Sequence, residues 1–257
     1  MTEPSATYPS LAGVPVVISG GASGIGEAMV RAYAGQRAKV GFVDIAETAG
    51  EKLAAELTQV GATVRFAFCD VTNIAAYQSA IAGFAAAHGD AGVLVNNAAY
   101  DGRQDWRTVT PEAWDARMAV NLKQAFFAIQ AVAPGMIARG GGAIVNLGSI
   151  AWMVNTPNIP AYASAKAAVH GLTRSMANEL GAHRVRVNTI APGAILTERQ
   201  RTEVITPEMD AYMQSQQLIK GHILPEDVAA LALFLSASDS RMITGQNFII
   251  DAGWAHS

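Results

Sequence analysis

A single cysteine, Cys69, stands in 257 residues, so no disulfide can form within the chain. Charge is sparse, at 15% of residues, and its balance of −3 leaves no basic footprint of the kind that nucleic acid or an anionic membrane selects. No window holds the ~20 consecutive apolar residues of a membrane helix. The most apolar stretch, 228–235, is far shorter. Residues 1–10 lack a basic patch followed by an apolar run, which speaks against a secretory leader and for a cytoplasmic setting. His88, His170, His183, His222 and His256 form no close pair, so no metal site is expected. No linker, low-complexity tract or internal repeat divides the chain.

What is present is apolar and alternating. Half of the chain (51%) is hydrophobic, enough for one large core. β-Branched runs at 14–19, 38–44, 62–69, 92–96, 143–147, 185–190 and 247–251 read as seven strands. Several are nearly continuous in apolar residues, as strands buried on both faces are. Helical segments lie between them at 25–35, 46–60, 74–88, 111–139, 162–180 and 225–236. This rhythm predicts a single α/β domain over 1–257, a doubly wound, seven-stranded parallel sheet of Rossmann type. Residues 193–224 break the rhythm, with little periodicity. Pro192 and Gly193 before them suit a hinge, and the segment is expected to be a substrate lid. Met209, Tyr212, Met213 and Leu218 at near-helical spacing leave a fixed helical wall as the alternative.

The first strand runs into Ser19-Gly20-Gly21-Ala22-Ser23-Gly24-Ile25-Gly26. Glycines between a strand and a helix let backbone N–H groups approach a pyrophosphate, with the helix dipole behind them. A plain tight turn would use the same residues. Asp44 ends the second strand, 44 − 26 = 18 positions past the last glycine. A carboxylate there can accept from both hydroxyls of a ribose and would repel a 2′-phosphate, which favours NAD over NADP. No Lys or Arg lies in the loop or directly after Asp44. A helix cap is a second use of the same carboxylate.

Ser149 follows the fifth strand, and Tyr162 and Lys166 lie four positions apart on one helix face. An ammonium beside a phenol lowers its pKa from ~10, which would make Tyr162 a base near neutrality. Tyr162 could then take a proton from a hydroxyl while hydride leaves the same carbon, with Ser149 holding the oxygen. The pair alone would also fit a solvated helix face. Ser149 sits in Asn146-Leu147-Gly148-Ser149-Ile150, not in a Gly-x-Ser-x-Gly elbow, which argues against a hydrolase. Cys69, closing a strand, reads as a small hydrophobe.

From Leu11 to Trp254 the chain resembles the short, single-domain subclass of the short-chain dehydrogenase/reductase family. The marks are the glycine loop, Asp70-Val71, Asn96-Asn97-Ala98, Asn121, Ser149, Tyr162, Lys166 and Pro192-Gly193 with Thr197. The resemblance implies adenine contacts from Asp70 and Val71 and a place for Asn97 in the cofactor cleft. It implies that Asn121 holds a water that passes protons from Lys166. Ile195 and Thr197 would grip the nicotinamide carboxamide, and Lys166 the nicotinamide ribose. It also implies a homotetramer built on helices 111–139 and 162–180 and the last helix and strand. Ala125, Phe126, Ile129 and Val132 are expected to add apolar surface there. Two departures stand out: Ala99 replaces the usual glycine before Tyr100-Asp101-Gly102-Arg103, and Ser19 stands where threonine is commoner.

Within the family, 109–115, 130–136, 224–231 and 250–254 resemble sugar dehydrogenases that oxidise a free aldose at the anomeric carbon. The substrate residues expected are Ser149, Trp152, Asn155, Tyr162 and Gln200, with Met153, Glu198 and Arg199 nearby. Trp152 would stack on the sugar, or merely pack in its loop. Three functions follow in order: an NAD-dependent aldose 1-dehydrogenase; an oxidoreductase of a secondary alcohol, polyol or keto-acyl substrate; and a dinucleotide-binding sensor without turnover. An intact Asn121, Ser149, Tyr162 and Lys166 set argues against the sensor.

Overall fold

The computed structural model describes residues 6–255; His256 lies outside them. The seven strands are β1 (Pro15–Ser19), β2 (Lys39–Asp44), β3 (Thr63–Phe68), β4 (Val93–Asn96), β5 (Gly142–Leu147), β6 (Val185–Pro192) and β7 (Asn247–Ile250). They form one parallel sheet in the order β3-β2-β1-β4-β5-β6-β7. Ile18 of the central β1 pairs with Phe42 on one side and Val95 on the other. Every residue of β1 and β4 is buried, which explains their continuous apolar sequence. Strand order reverses between β1 and β4, and that is where an open α/β sheet forms a crevice beyond its strand ends.

Helices cover both faces. One core layer joins β1 and β2 to α1 (Gly24–Gly35), α2 (Glu47–Gln59) and α8 (Pro225–Ser236). The other packs α3 (Ile74–His88), α5 (Gln124–Ala138) and α6 (Pro160–Gly181) on the opposite face. Tyr33 ties α1 to α8, its hydroxyl 2.6 Å from Ser236 Oγ and 3.1 Å from the Ala232 carbonyl.

The helix expected over 111–139 is interrupted. It comprises α4 (Pro111–Met118), a π-turn (Ala119–Lys123) and α5. The cause is Asn121, whose side-chain Nδ2 donates to the Arg117 carbonyl at 3.0 Å. That carbonyl is the usual acceptor for the backbone one turn on, so the ladder is diverted. A second correction concerns α5: Ala125, Ile129 and Val132 point into the core, and of the four residues expected to add surface only Phe126 is exposed.

The aperiodic stretch 193–224 holds a second π-turn (Gln200–Val204) and α7 (Pro207–Gln216). Thr206 caps α7 by accepting from the Met209 N–H. The segment is tied to itself and to the turn after β7: Leu196 N–H donates to the Ile223 carbonyl, joining its two ends, and Leu218 and Ile219 N–H both donate to the Ala252 carbonyl. Among the described residues no helix is long and apolar enough to cross a membrane, and no cluster of His, Cys, Asp or Glu could hold a metal.

Candidate active site

A cleft of about 500 Å³ opens at the ends of β1, β4, β5 and β6. Its floor is the turn from β1 into α1. Gly20 has φ +67°, and a Cβ on Gly26 would lie 1.7 Å from the Gly20 carbonyl oxygen, so only glycine lets the helix start this close to the strand. Ser23, the residue before α1, makes no side-chain cap bond, which leaves the first-turn N–H groups for an anion. Asn97 clamps the turn from the β4 side, its Nδ2 donating to the carbonyls of Ser19 (3.0 Å) and Gly20 (2.8 Å). The geometry suits a pyrophosphate: open backbone, no filling side chains and a helix dipole aimed at it.

Asp44 is held by two backbone hydrogen bonds, and neither caps α2, whose N-cap is Ala46. Oδ2 accepts from the Ala22 N–H of the glycine turn and Oδ1 from the Ala46 N–H before α2, each at 2.9 Å. It stays on the cleft wall beside Ile45, with lone pairs left for a ribose. Asp70 Oδ1 accepts from the N–H and hydroxyl of Thr72, and Asp70 and Val71 line the cleft together. Gly24, Ile25, Pro192, Gly193, Ile195 and Thr197 line it too. The Thr197 methyl lies 3.1 Å from where a Gly24 Cβ would be, so the 193–224 segment begins directly over the glycine turn.

The reacting end is built by β5 and α6. Pro160 opens α6, and Tyr162 and Lys166 follow in its first two turns. Ser149 lies just past β5, lining the cleft with Tyr162, and its Oγ accepts from the Ala151 N–H at 3.1 Å. Lys166 is buried, with Nζ 5.7 Å from the Tyr162 ring centroid and donating to the Leu147 carbonyl at 2.6 Å. The expected depression of the phenol is outweighed here. Burial pushes Tyr162 up to about 12, against the pull of the Ser149 hydrogen bond, and Asp101 adds to the rise. Burial likewise pushes Lys166 down to about 8, with Asp101 pulling it back. Desolvation disfavours either charged form, so a crowded phenol resists ionising and a crowded amine resists protonation.

Asn121 stands behind this wall. Its Oδ1 accepts from the Tyr100 N–H at 2.9 Å and its Nδ2 donates to the Tyr100 carbonyl at 3.0 Å. The side chain therefore hangs the loop after β4 from the π-turn. At the mouth, Arg199 meets Asp101 at 3.3 Å, and Glu198 and Gln200 complete the rim.

Trp152 and Asn155 are not brought to the cleft. Trp152 lies edge-on to His170, ring centroids 5.3 Å apart, and Asn155 occupies a left-handed turn position at φ +55°. Residues 151–155 form a turn after Ser149. The lining also includes residues to which the sequence assigns no site role of their own, among them Cys69, Val120 and Asp101. The first two look like core residues, and no local pattern marks a strand end or a π-turn. Asp101 sits in a loop whose path depends on Asn121, twenty residues later.

The family model described as enoyl-(acyl carrier protein) reductase matches residues 20–255. A protein named "Probable galactose dehydrogenase GalD" from Rhizobium meliloti (strain 1021) is 46% identical, over 98% of this chain and 99% of its own. A D-xylose 1-dehydrogenase of Caulobacter vibrioides is 45% identical over 97% and 99%. Among solved structures, a 7α-hydroxysteroid dehydrogenase complexed with NADH and a 7-oxo bile acid superposes with a TM-score of 0.92 at 32% identity, covering 97% of each chain. With the glycine turn and the Ser149, Tyr162, Lys166 constellation at one cleft, these similarities show that the chain belongs to the short-chain dehydrogenase/reductase family, an oxidoreductase that acts on CH–OH groups with a nicotinamide dinucleotide.

Proposed function

We propose that this protein oxidises a free aldose at its anomeric carbon to the lactone, with NAD as the cofactor. The carrying observation is the near-full-length similarity to two dehydrogenases named for aldoses, with identities of 46% and 45%. The polar mouth formed by Asp101, Glu198, Arg199 and Gln200 supports it, because a polyol needs several hydrogen-bonding groups beyond the reacting one.

A nicotinamide held by Lys166, Ile195 and Thr197 would supply the hydride acceptor for the anomeric carbon. The chain's own residues do the rest. Ser149 and Tyr162 hydrogen-bond the anomeric oxygen, and Tyr162 takes its proton. Lys166, in its protonated form, favours the phenolate that this transfer requires. Asn121, with its amide engaged by Tyr100 and Arg117, would contribute to a proton path through backbone displaced in the π-turn, where a water can bridge toward Lys166.

NAD over NADP rests on Asp44, whose carboxylate faces the cleft next to the uncharged Ile45. The lid role of 193–224 rests on Thr197 lying over Gly24 with Gln200 beyond it. Homotetramer assembly rests on exposed apolar residues of helix and edge strand, Phe126, Ile137 and Ile249. A cytoplasmic setting follows from the chemistry, since the reduced dinucleotide must be reoxidised by a shared pool.

The test is a panel of free aldoses, polyols and secondary alcohols followed at the reduced-nicotinamide absorbance band. Turnover with aldoses and lactone formation supports the proposal. Turnover confined to alcohols or keto-acyl compounds favours the second reading, and binding without turnover the sensor.

A further inference from the structure

A second cavity, of about 370 Å³, lies between α6 and the chain that enters β7. It shares no lining residue with the dinucleotide cleft. One wall is committed to the fold. The Thr173 and Thr189 hydroxyls lie 2.7 Å apart, and Asn146 Nδ2 donates to Thr173 at 2.9 Å. Both threonines are buried, so this wall is rigid.

The rest of the lining is uncommitted. His170 and Arg174 reach the cavity from α6 and Asn247 from the start of β7. Among the described residues none of these three makes a hydrogen bond or an ion pair through its side chain. Asn247 Oδ1 is buried without a partner, a state that folded proteins seldom leave unused. His170 instead packs against the edge of Trp152, ring centroids 5.3 Å apart.

The chemistry of the lining has one sign. Arg174 carries a full charge, and no Asp or Glu lines the cavity to offset it. Burial holds His170 below its ordinary range, so the imidazole is neutral near pH 7 and the guanidinium sets the potential. A guanidinium fork takes a carboxylate or a phosphate through two parallel hydrogen bonds. The volume lies within the ~300–1,000 Å³ of small-molecule sites and exceeds what a bare oxyanion fills. The side chains around it are amides and hydroxyls, which match hydroxyl groups and not an alkyl chain.

We propose that this cavity is a second ligand site, for a small hydroxylated oxyanion of the sugar carboxylate or sugar phosphate class. Arg174 takes the charged group, and Gln246 and Asn247 take hydroxyls. The site is independent of which alcohol the catalytic cleft oxidises.

Titration calorimetry on the holoenzyme tests this, with the reduced dinucleotide saturating so that the phosphate positions of the cleft are filled. The probes are an aldonate, an aldose phosphate and the matching uncharged alditol. At least one of the anions should bind saturably at one per chain, which identifies the charged group, and the alditol should not. Arg174→Gln should weaken that binding by about 10–100-fold, the worth of hydrogen bonds to a charged group. Arg174→Lys should recover part of the loss by keeping the charge without the fork. Asn247→Ala, on a different element, should cost about 3–10-fold. Dinucleotide affinity should stay within about twofold in every variant, which reports a folded protein and an undisturbed cleft. Absence of saturable heat with both anions, as a neighbouring copy seated over the cavity would produce, overturns the assignment. So does equal binding of the alditol, or anion binding unchanged in Arg174→Gln, which would place the anion in the catalytic cleft or elsewhere.

Discussion

Lys166 places its Nζ 5.7 Å from the Tyr162 ring centroid while donating a hydrogen bond to the Leu147 carbonyl at 2.6 Å. The amine is thus anchored to the end of β5 and presented to the phenol from within the protein. Tyr162→Phe keeps the ring and removes only the base, so turnover should fall ~10²–10⁴-fold with dinucleotide affinity retained. Lys166→Met should damage both, since Lys166 also lines the dinucleotide cleft. Steady-state kinetics paired with dinucleotide binding separates the two, and a near-native kcat in Tyr162→Phe would eliminate it as the base.

The oxidative rate should rise with pH, because the base works deprotonated and burial holds Tyr162 up to about 12. The Ser149 hydrogen bond pulls that value down. Ser149→Ala should therefore move the rising limb further toward alkali, besides slowing the reaction. Single-turnover rates across pH measure this. A flat profile, or a limb moving toward acid in Ser149→Ala, contradicts the assignment.

Stability should fall at high pH. Tyr33, Tyr77 and Tyr162 are all raised by burial. Above the free phenol value of ~10 the unfolded chain loses these protons while the folded chain keeps them, so unfolding gains with pH. Lys166 acts oppositely, contributing stability that grows from about 8 to its unfolded value and no further. Urea midpoints across this range should decline once the phenols titrate. Tyr33→Phe should cost ~1–2 kcal/mol near neutrality through its lost buried bonds and should flatten the alkaline decline.

Asp44→Ala should narrow the preference for NAD over NADP by roughly 10–100-fold in kcat/KM. It should also raise KM for both dinucleotides, because the same carboxylate holds the glycine turn through Ala22. A wild type that prefers NADP would sink the cofactor proposal.

Hydrogen exchange tests the lid. Amides of 193–224 should slow on adding dinucleotide and slow again with sugar, as Thr197 and then Gln200 find partners. Equal protection in every state leaves a fixed wall, which the ties from Leu196 to Ile223 and from Leu218 to Ala252 would then explain.

The seven strands were legible because β1, β4 and β5 are buried on both faces, and apolar runs of that length have few other uses. Tyr162, Lys166 and the glycine turn were legible because each lies within one local element. The π-turn was hidden: Asn121 reaches its own preceding turn and a distant loop at once, and periodicity carries no trace of that. Trp152 was misplaced because three residues of separation from Ser149 set no direction, and the turn at 151–155 sends it toward His170. The pairing of Asp101 with Arg199 is not legible in the sequence, because the fold alone brings 101 beside 199.

Asn121 holds position 100 by its backbone N–H and carbonyl alone. Those two groups belong to any residue except proline, so Asn121's share of the mounting does not depend on the side chain at position 100, while the Arg117 guanidinium over the Tyr100 ring does. The loop is in effect an interchangeable head on a fixed shank. Exchanging residues 100–103 between relatives should retune which hydroxyl pattern is accepted while Ser149, Tyr162 and Lys166 keep their positions. A lineage could thus move from one sugar to another by loop drift alone, without passing through an inactive intermediate.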